Sequence, residues 1–370
     1  MLSFMLRLPF LFRLPIGDEN LTLEGARVPF GKIISYLSNP LNRDPYPPLF
    51  YWMMHIWDRV FPSPAWDRFL LVLFGLGAVF ITYHIGKNLL GEKLGLVSAC
   101  LIAVFPLCIW ADQWLRAYSV AAFFSALTTF TYLDALKKRD VRSWIFFIIS
   151  GLFLLYSFYL GAIVLIVVGL HFLFLAERSR RVWFQWLLSQ LAIVSAFAPW
   201  LPKMFQQLSG STGVSEVIQK QGFWLGNLHI GALINSLLGT FGLDSLWSPA
   251  PIAKLPTWYL LTIITLFGVV ATLTLLGWWK SLLFDKRLPF WIAYFSLMPA
   301  IIGFVLHQAT LLPLVHHYYV IFCWSGAIAI GLSILNLSKR YRFCLIGLLA
   351  VIMTWRFVDL YTVLVIQGGQ

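Results

Sequence analysis

Four short stretches of this chain hold side chains that can move a proton or grip an anion. "GDEN" sets Asp18 beside Glu19, and "RDPYPP" sets Arg43 and Asp44 just before Pro47 and Pro48. "ADQWLRAYS" holds Asp112, Gln113, Arg116, Tyr118 and Ser119, and "HHYY" begins with His316 and His317. A carboxylate within reach of a hydroxyl can act as a general base. An arginine fork matches the oxygens of a phosphate. The chemistry in question is therefore proton abstraction by an acidic residue and phosphate binding by Arg116.

Each stretch also has a structural reading. Asp18 and Glu19 can be solvated interface residues or a helix cap. Asp44 can belong to a plain turn, with the neighbouring Trp and Tyr residues as an aromatic belt. Asp112 lies four residues before Arg116, so the two can simply pair on one helix face. Adjacent His316 and His317 cannot share a helix face, which disfavours a metal site. His55, His84, His171 and His229 read as structural.

The elements that must position these residues are membrane helices. Of 370 residues, 60% are hydrophobic and 11% charged. Apolar stretches of about 20 residues recur along the chain, the pattern of a multi-pass helical membrane protein rather than an outer-membrane barrel. The net charge of +12 sits mostly in short clusters between apolar spans, which excludes a nucleic-acid partner. The four cysteines are scattered and suit small buried side chains, not a disulfide frame or CxxC site.

Apolar spans are expected near 1–16, 66–86, 94–110, 116–136, 144–158, 159–176, 183–202, 257–279, 289–307, 317–336 and 343–361. The connection near 158 is tight enough that 144–176 could be one broken helix. The first stretch is only about 24 Å of helix at 1.5 Å per residue. It lacks signal-peptide features and reads as the outer part of a span whose beginning is missing. Basic clusters at 86–93, 137–142, 177–181, 280–287 and 338–342 occupy every second connection, which puts those loops in the cytoplasm. Eleven spans follow, with the N-terminus inside, the C-terminus outside and residues 1–370 as a single transmembrane domain. All four reactive stretches then share the outer side.

Two outer loops are long. Residues 17–65 contain an amphipathic stretch suited to interfacial helices. Pro47 and Pro48 fit the first turn of a short helix through Trp57, and they stiffen the approach that carries Asp44. Residues 203–256 could form a surface helix or a lid.

In order, spacing and shared side, these stretches resemble the glycosyltransferase C superfamily. More closely they resemble its glycosyltransferase family 39-like branch, the protein O-mannosyltransferase-like and lipid A aminoarabinose transferase-like enzymes. An acidic pair ending the first span is matched by Asp18 and Glu19. A proline-rich motif in the first outer loop is matched by Asp44, Pro47, Pro48 and Leu49. A "QxxRxYS" motif is matched by Gln113, Arg116, Tyr118 and Ser119. The chain departs from the family at Tyr46, where His is frequent, at Trp114, where an acidic residue is frequent, and at His317, where Arg often precedes the tyrosine.

The resemblance implies an all-α polytopic fold that moves a sugar from a polyprenyl-phosphate donor to a hydroxyl acceptor on the outer face of the plasma (inner) membrane. The acceptor would be a glycolipid, a polysaccharide or a protein. Inversion at the anomeric carbon assigns the base to Asp18, with Glu19 or Asp44 orienting the acceptor. Arg116, assisted by His317 or Arg43, would hold the donor phosphate. Tyr46, Pro48, Tyr51, Trp52, Gln113 and Tyr118 would line the lipid and acceptor groove. No cofactor or metal is implied. The rival readings are a transporter or lipid flippase, and an inactive homologue that binds a lipid-linked sugar. Transporters place polar sites near the bilayer midplane, whereas the polar residues here gather at one face.

Overall fold

The computed structural model describes residues 1–39, 46–176, 179–210, 240–241, 257–282, 287–310 and 316–368. Among the described residues all regular structure is helical. The chain forms two compact units. One comprises Arg7–Ile81 and Ala111–Gly226, the other Met1–Leu6, Thr82–Trp110 and Asn227–Gln370.

Six helices are long and apolar enough to cross a membrane: Pro64–Leu90, Tyr118–Lys138, Arg180–Gln207, Thr265–Leu282, Tyr318–Asn336 and Lys339–Val358. The pair Glu92–Val104 and Pro106–Gln113, bent by 57°, makes a seventh if it crosses as one. These six or seven, among the described residues, stand against the eleven expected. Two further apolar helices, Val141–Ser157 and Gly161–Phe174, are shorter.

The expected helix over 1–16 does not form. Only Leu2–Met5 (α1) is helical, and turns follow. The cause is local and electrostatic. Pro9 and Pro15 interrupt helical bonding, and Arg7 and Arg13 swing into buried ion pairs, described below.

In the first unit, α2 (Asp18–Arg27) begins at Gly17, whose φ of +53° and ψ of −123° lie outside the common wells of a side-chain-bearing residue. Asp18 and Glu19 occupy the first turn of α2, the end where a helix favours negative charge. After a short α3 (Ile33–Leu37), α4 (Pro48–Asp58) starts with Pro47 extended and Pro48 at the first helical position, as expected. Helix α2 packs on α4 at Gly25, where any Cβ would stand 2.6 Å from the Tyr51 ring and 2.9 Å from that of Tyr36. His55 Nδ1 lies 2.7 Å from the Ala26 carbonyl, and Arg27 Nη2 meets Asp58 Oδ1 at 2.9 Å.

The junction of α4 with α5 (Pro64–Leu90) is closed by two indoles. Trp57 and Trp66 stack at 4.5 Å between centroids. Each donates its Nε1–H to the other's backbone carbonyl, at 2.8 Å from Trp57 and 3.1 Å from Trp66. Both rings are thereby satisfied as donors while their faces exclude water.

Helix α5 carries the chain into the second unit. There α6 (Glu92–Val104) leads to α7 (Pro106–Gln113), and the chain returns to the first unit. Helix α8 (Tyr118–Lys138) ends on Arg139 at φ +58°, whose N–H caps the Ala135 carbonyl. Helix α9 (Val141–Ser157) starts on Asp140, which accepts from Ser143 N at 2.7 Å. Helix α10 (Gly161–Phe174) follows after three residues. Tyr132 Oη and His171 Nδ1 meet at 2.7 Å, tying the late part of α8 to the end of α10. Tyr132 also packs on Phe147, near the start of α9. So α9 and α10 run in opposite directions and are two helices, not one broken one. Helices α11 (Arg180–Phe197) and α12 (Leu201–Gly210) complete this unit's described helices.

The second unit also contains α13 (Thr257–Leu282), α14 (Arg287–Thr310), a 3-10 segment (His316–Phe322), α15 (Cys323–Asn336) and α16 (Lys339–Gly368). Helix α15 is buried at every position from Cys323 to Ile334. A helix apolar on all sides belongs inside a bundle. Its Ser333 hydroxyl donates to the Thr274 carbonyl at 2.9 Å, and Trp278 Nε1 donates to its Ala329 carbonyl at 3.0 Å.

Candidate active site

The site grows from the first turn of α2. Glu19 is fully buried, and its carboxylate faces protein on every side. Arg13 donates to it through Nη1 at 2.5 Å and Nη2 at 2.8 Å. Fully buried Arg68, on the first turns of α5, donates through Nη2 at 3.3 and 3.2 Å to its two oxygens. The backbone amides of Ile16 and Leu115 donate at 3.1 and 2.9 Å. A buried carboxylate is tolerable only with such pairing. Arg68 Nη1 also donates to the carbonyls of Leu11 and Arg13, at 2.9 and 2.6 Å. Backbone that leaves the helical path early in the chain thus finds its partners here.

Glu19 holds the four-residue link Trp114–Ala117 between α7 and α8, because the Leu115 amide is one of its donors. Arg116 is the next residue. It lies in this link rather than on a helix, and it is buried. Its Nη1 donates to the Asp18 carbonyl and to Thr22 Oγ1, both at 3.3 Å. Its guanidinium carbon stands 4.5 Å from the centre of the Tyr46 ring, a cation–π distance. Asp112 does not pair with Arg116 as helical spacing suggested. It meets Arg7 Nε at 2.6 Å, and both side chains are buried.

Asp18 and Arg116 are therefore neighbours, 98 residues apart in sequence. Asp18 is exposed while Glu19 beside it is not, so the two acids of one motif have opposite environments. Tyr46 is buried, stacks on Phe158 at 5.8 Å and brings its hydroxyl to 3.5 Å from that of Tyr118. Tyr118 meets Phe158 edge-on at 6.1 Å. Gln113 is buried, and its carbonyl accepts from Arg13 Nη2 at 3.4 Å. Pro48 is buried at the start of α4, and Trp52 is half-buried with its ring 6.2 Å from Phe30. Tyr51, expected in a groove, is fully buried between helices at the Gly25 contact.

Arg43 and Asp44 lie outside the described residues, as does most of the expected lid over 203–256, whose residues 203–210 belong to α12. His317 stands in the 3-10 segment of the second unit, and its side chain is also outside them. Among the described residues no group of three or more His, Cys, Asp or Glu side chains could hold a metal ion.

The sequence reading missed Arg13, Arg68, Thr22 and Gln207. A signal existed for the two arginines, since a cation in or at the edge of an apolar stretch is costly and seeks a partner. Thr22 and Gln207 carry no such signal. Gln207, on α12, donates through Nε2 to the carbonyls of Leu37 and Tyr46, at 2.7 and 3.2 Å. Its Oε1 accepts from the Tyr159 hydroxyl. Tyr159, in the turn between α9 and α10, accepts in turn from Trp200 Nε1 at 2.8 Å. Burial raises its pKa, so the hydroxyl keeps its proton.

Comparison with known proteins follows the same outline. A sequence model of the dolichyl-phosphate-mannose-protein mannosyltransferase family matches residues 45–204. No curated protein matches. The fold is similar to that of ArnT from Cupriavidus metallidurans. In its apo state the TM-score is 0.59 at 15% identity, covering 91% of this chain and 58% of that one. In its undecaprenyl phosphate-bound state the TM-score is 0.61 at 14% identity, covering 94% and 60%. It is also similar to the archaeal oligosaccharyltransferase AglB from Archaeoglobus fulgidus in complex with an inhibitory peptide and a dolichol-phosphate, with a TM-score of 0.57 at 14% identity, covering 97% and 54%. The chain thus spans 54–60% of the length of these three chains. The resemblance to the glycosyltransferase C superfamily is borne out by the family match and the shared fold.

Proposed function

Starting from a glycosyltransferase C-like membrane fold, we propose that this protein transfers a sugar from a polyprenyl-phosphate donor to a hydroxyl acceptor at the outer face of the plasma membrane. The observation that carries the reading is the adjacency of exposed Asp18 and buried Arg116 through one hydrogen bond. An exposed carboxylate can meet an acceptor. A cation with restricted access to water is worth most against charge that develops during a reaction.

The acceptor hydroxyl oxygen attacks the anomeric carbon, and the Asp18 carboxylate takes its proton. The bond from that carbon to the phosphate oxygen breaks, with inversion, and polyprenyl phosphate leaves with the electron pair. Arg116 meets the growing negative charge on the phosphate. Glu19 positions the site. It fixes the Leu115 amide and therefore the link that carries Arg116, while Arg13 and Arg68 neutralise it. Asp44, Arg43 and His317 keep the assisting parts the motifs imply. Tyr46, Pro48, Trp52 and Tyr118 line the approach of lipid and acceptor. Helices α2 to α4 lie along the outer interface, and α9, α10 and α14 add crossings to the six or seven long ones.

The test is transfer by the protein reconstituted in vesicles, with a panel of radiolabelled polyprenyl-phosphate sugars, comparing wild type with Asp18→Asn and Arg116→Ala. Wild-type transfer reduced at least about 10²-fold by Asp18→Asn supports the reading. No transfer by wild type from any donor, or unchanged transfer by both variants, overturns it.

A further inference from the structure

We infer that Gln207 is a positioning residue for the candidate phosphate site, holding Tyr46 so that its ring stays on the Arg116 guanidinium. The inference rests on reading Arg116 as the phosphate-binding group.

A glutamine amide offers two N–H donors and one carbonyl acceptor. The Nε2 group of Gln207 spends its donors on the carbonyls of Leu37 and Tyr46. Its Oε1 accepts from Tyr159. Because Tyr159 already accepts from Trp200, its own proton points to Gln207. This chain of donors fixes which end of the amide faces which partner. Gln207 is buried, so losing a partner here is not offset by water.

Leu37 closes α3 and Tyr46 stands two residues before α4. One amide therefore binds both ends of the stretch 38–45. Fixing the Tyr46 carbonyl restrains its Cα and the direction of its side chain. The ring then has few options, with Phe158 stacked at 5.8 Å on one side and Arg116 at 4.5 Å. An arginine held against an aromatic ring loses little rotamer freedom when an anion arrives, and that favours tighter binding. Gln207 touches neither the proposed base nor Arg116. It acts through Tyr46.

The test uses the full chain in detergent with undecaprenyl phosphate as probe, and reads both its Kd and the rate at which phenylglyoxal modifies Arg116. Gln207→Leu keeps the bulk of the side chain and removes all three hydrogen bonds. It is expected to raise the Kd at least fivefold and the Arg116 modification rate at least threefold, and to lower the Tm, since the buried groups it served lose their partner. In a Tyr46→Leu background the same substitution should change neither quantity by more than twofold, because the ring it serves is gone. Equal effects with and without Tyr46 would mark a general structural role and overturn the inference, as would an unchanged modification rate in Gln207→Leu. If wild type fails to bind the probe, the reading of Arg116 as a phosphate site falls, while the modification rate still decides whether Gln207 holds Tyr46 on Arg116.

Discussion

Arg7 holds Asp112 through a 2.6 Å bond across 105 residues, and Arg116, four residues beyond Asp112, binds the carbonyl of Asp18 instead. Arg7 neutralises Asp112, and Arg116 stands among a carbonyl, a hydroxyl and an aromatic ring. Such contacts help to hold the guanidinium in place.

The two acids of the first motif should separate cleanly on mutation. Asp18→Asn is expected to abolish most transfer while thermal unfolding in detergent stays near wild type, because the side chain is exposed. Glu19→Gln leaves two buried arginines short of their countercharge and should cost about 3–5 kcal/mol of stability. Parallel melting curves and transfer assays check this. A stable, inactive Glu19→Gln protein would mean that Glu19 takes part in the chemistry itself.

The Arg7–Asp112 pair should behave as a unit. Arg7→Met alone or Asp112→Leu alone strands a buried charge, at about 3–5 kcal/mol each. The double variant should recover much of that loss, because two apolar side chains replace the pair. Strictly additive losses in a double-mutant cycle would show that the two residues act separately.

Gly25→Ala tests how closely α2 approaches α4. The added methyl would press on the rings of Tyr51 and Tyr36, and overpacking of this kind costs about 1–3 kcal/mol. A lowered Tm, with transfer reduced through displacement of Asp18, is the expected result. A wild-type Tm would mean that the contact is slack.

The indole pair at the α4–α5 junction should respond in two steps. Trp57→Phe and Trp66→Phe each remove one indole-to-carbonyl hydrogen bond and keep a ring to stack. Each is expected to cost about 1 kcal/mol, and Trp57→Ala to cost more. Melting temperatures of the three variants check the order.

Sidedness can be read with an impermeant maleimide. Asn20→Cys, beside the candidate site, should label from the outside of intact cells. Arg139→Cys, in a basic connection, should label only after permeabilisation. The reverse pattern would place the site on the cytoplasmic face.

Much of the helical frame was legible in the sequence because a bilayer asks for long apolar runs and biases basic loops to one side. The start of α4 at Pro48 and the boundaries of α8 and α9 fall close to where proline, apolar patterning and charge put them. The N-terminal stretch was misread for a physical reason. Apolar patterning over 1–16 suggested a helix, but Arg7 gains more from distant Asp112, and Arg13 from nearby Glu19, than from continuing it.

By itself, the sequence determined that this is a multi-pass helical membrane protein with acidic, prolyl and arginyl motifs at the edges of its apolar runs, since composition and spacing act along the chain. Only the tertiary structure decided which acid is buried and which is exposed, that Asp112 belongs to Arg7, and that Gln207 reaches Tyr46. Those outcomes depend on partners that lie 49 to 161 residues away as well as on near ones, and no local periodicity encodes such contacts.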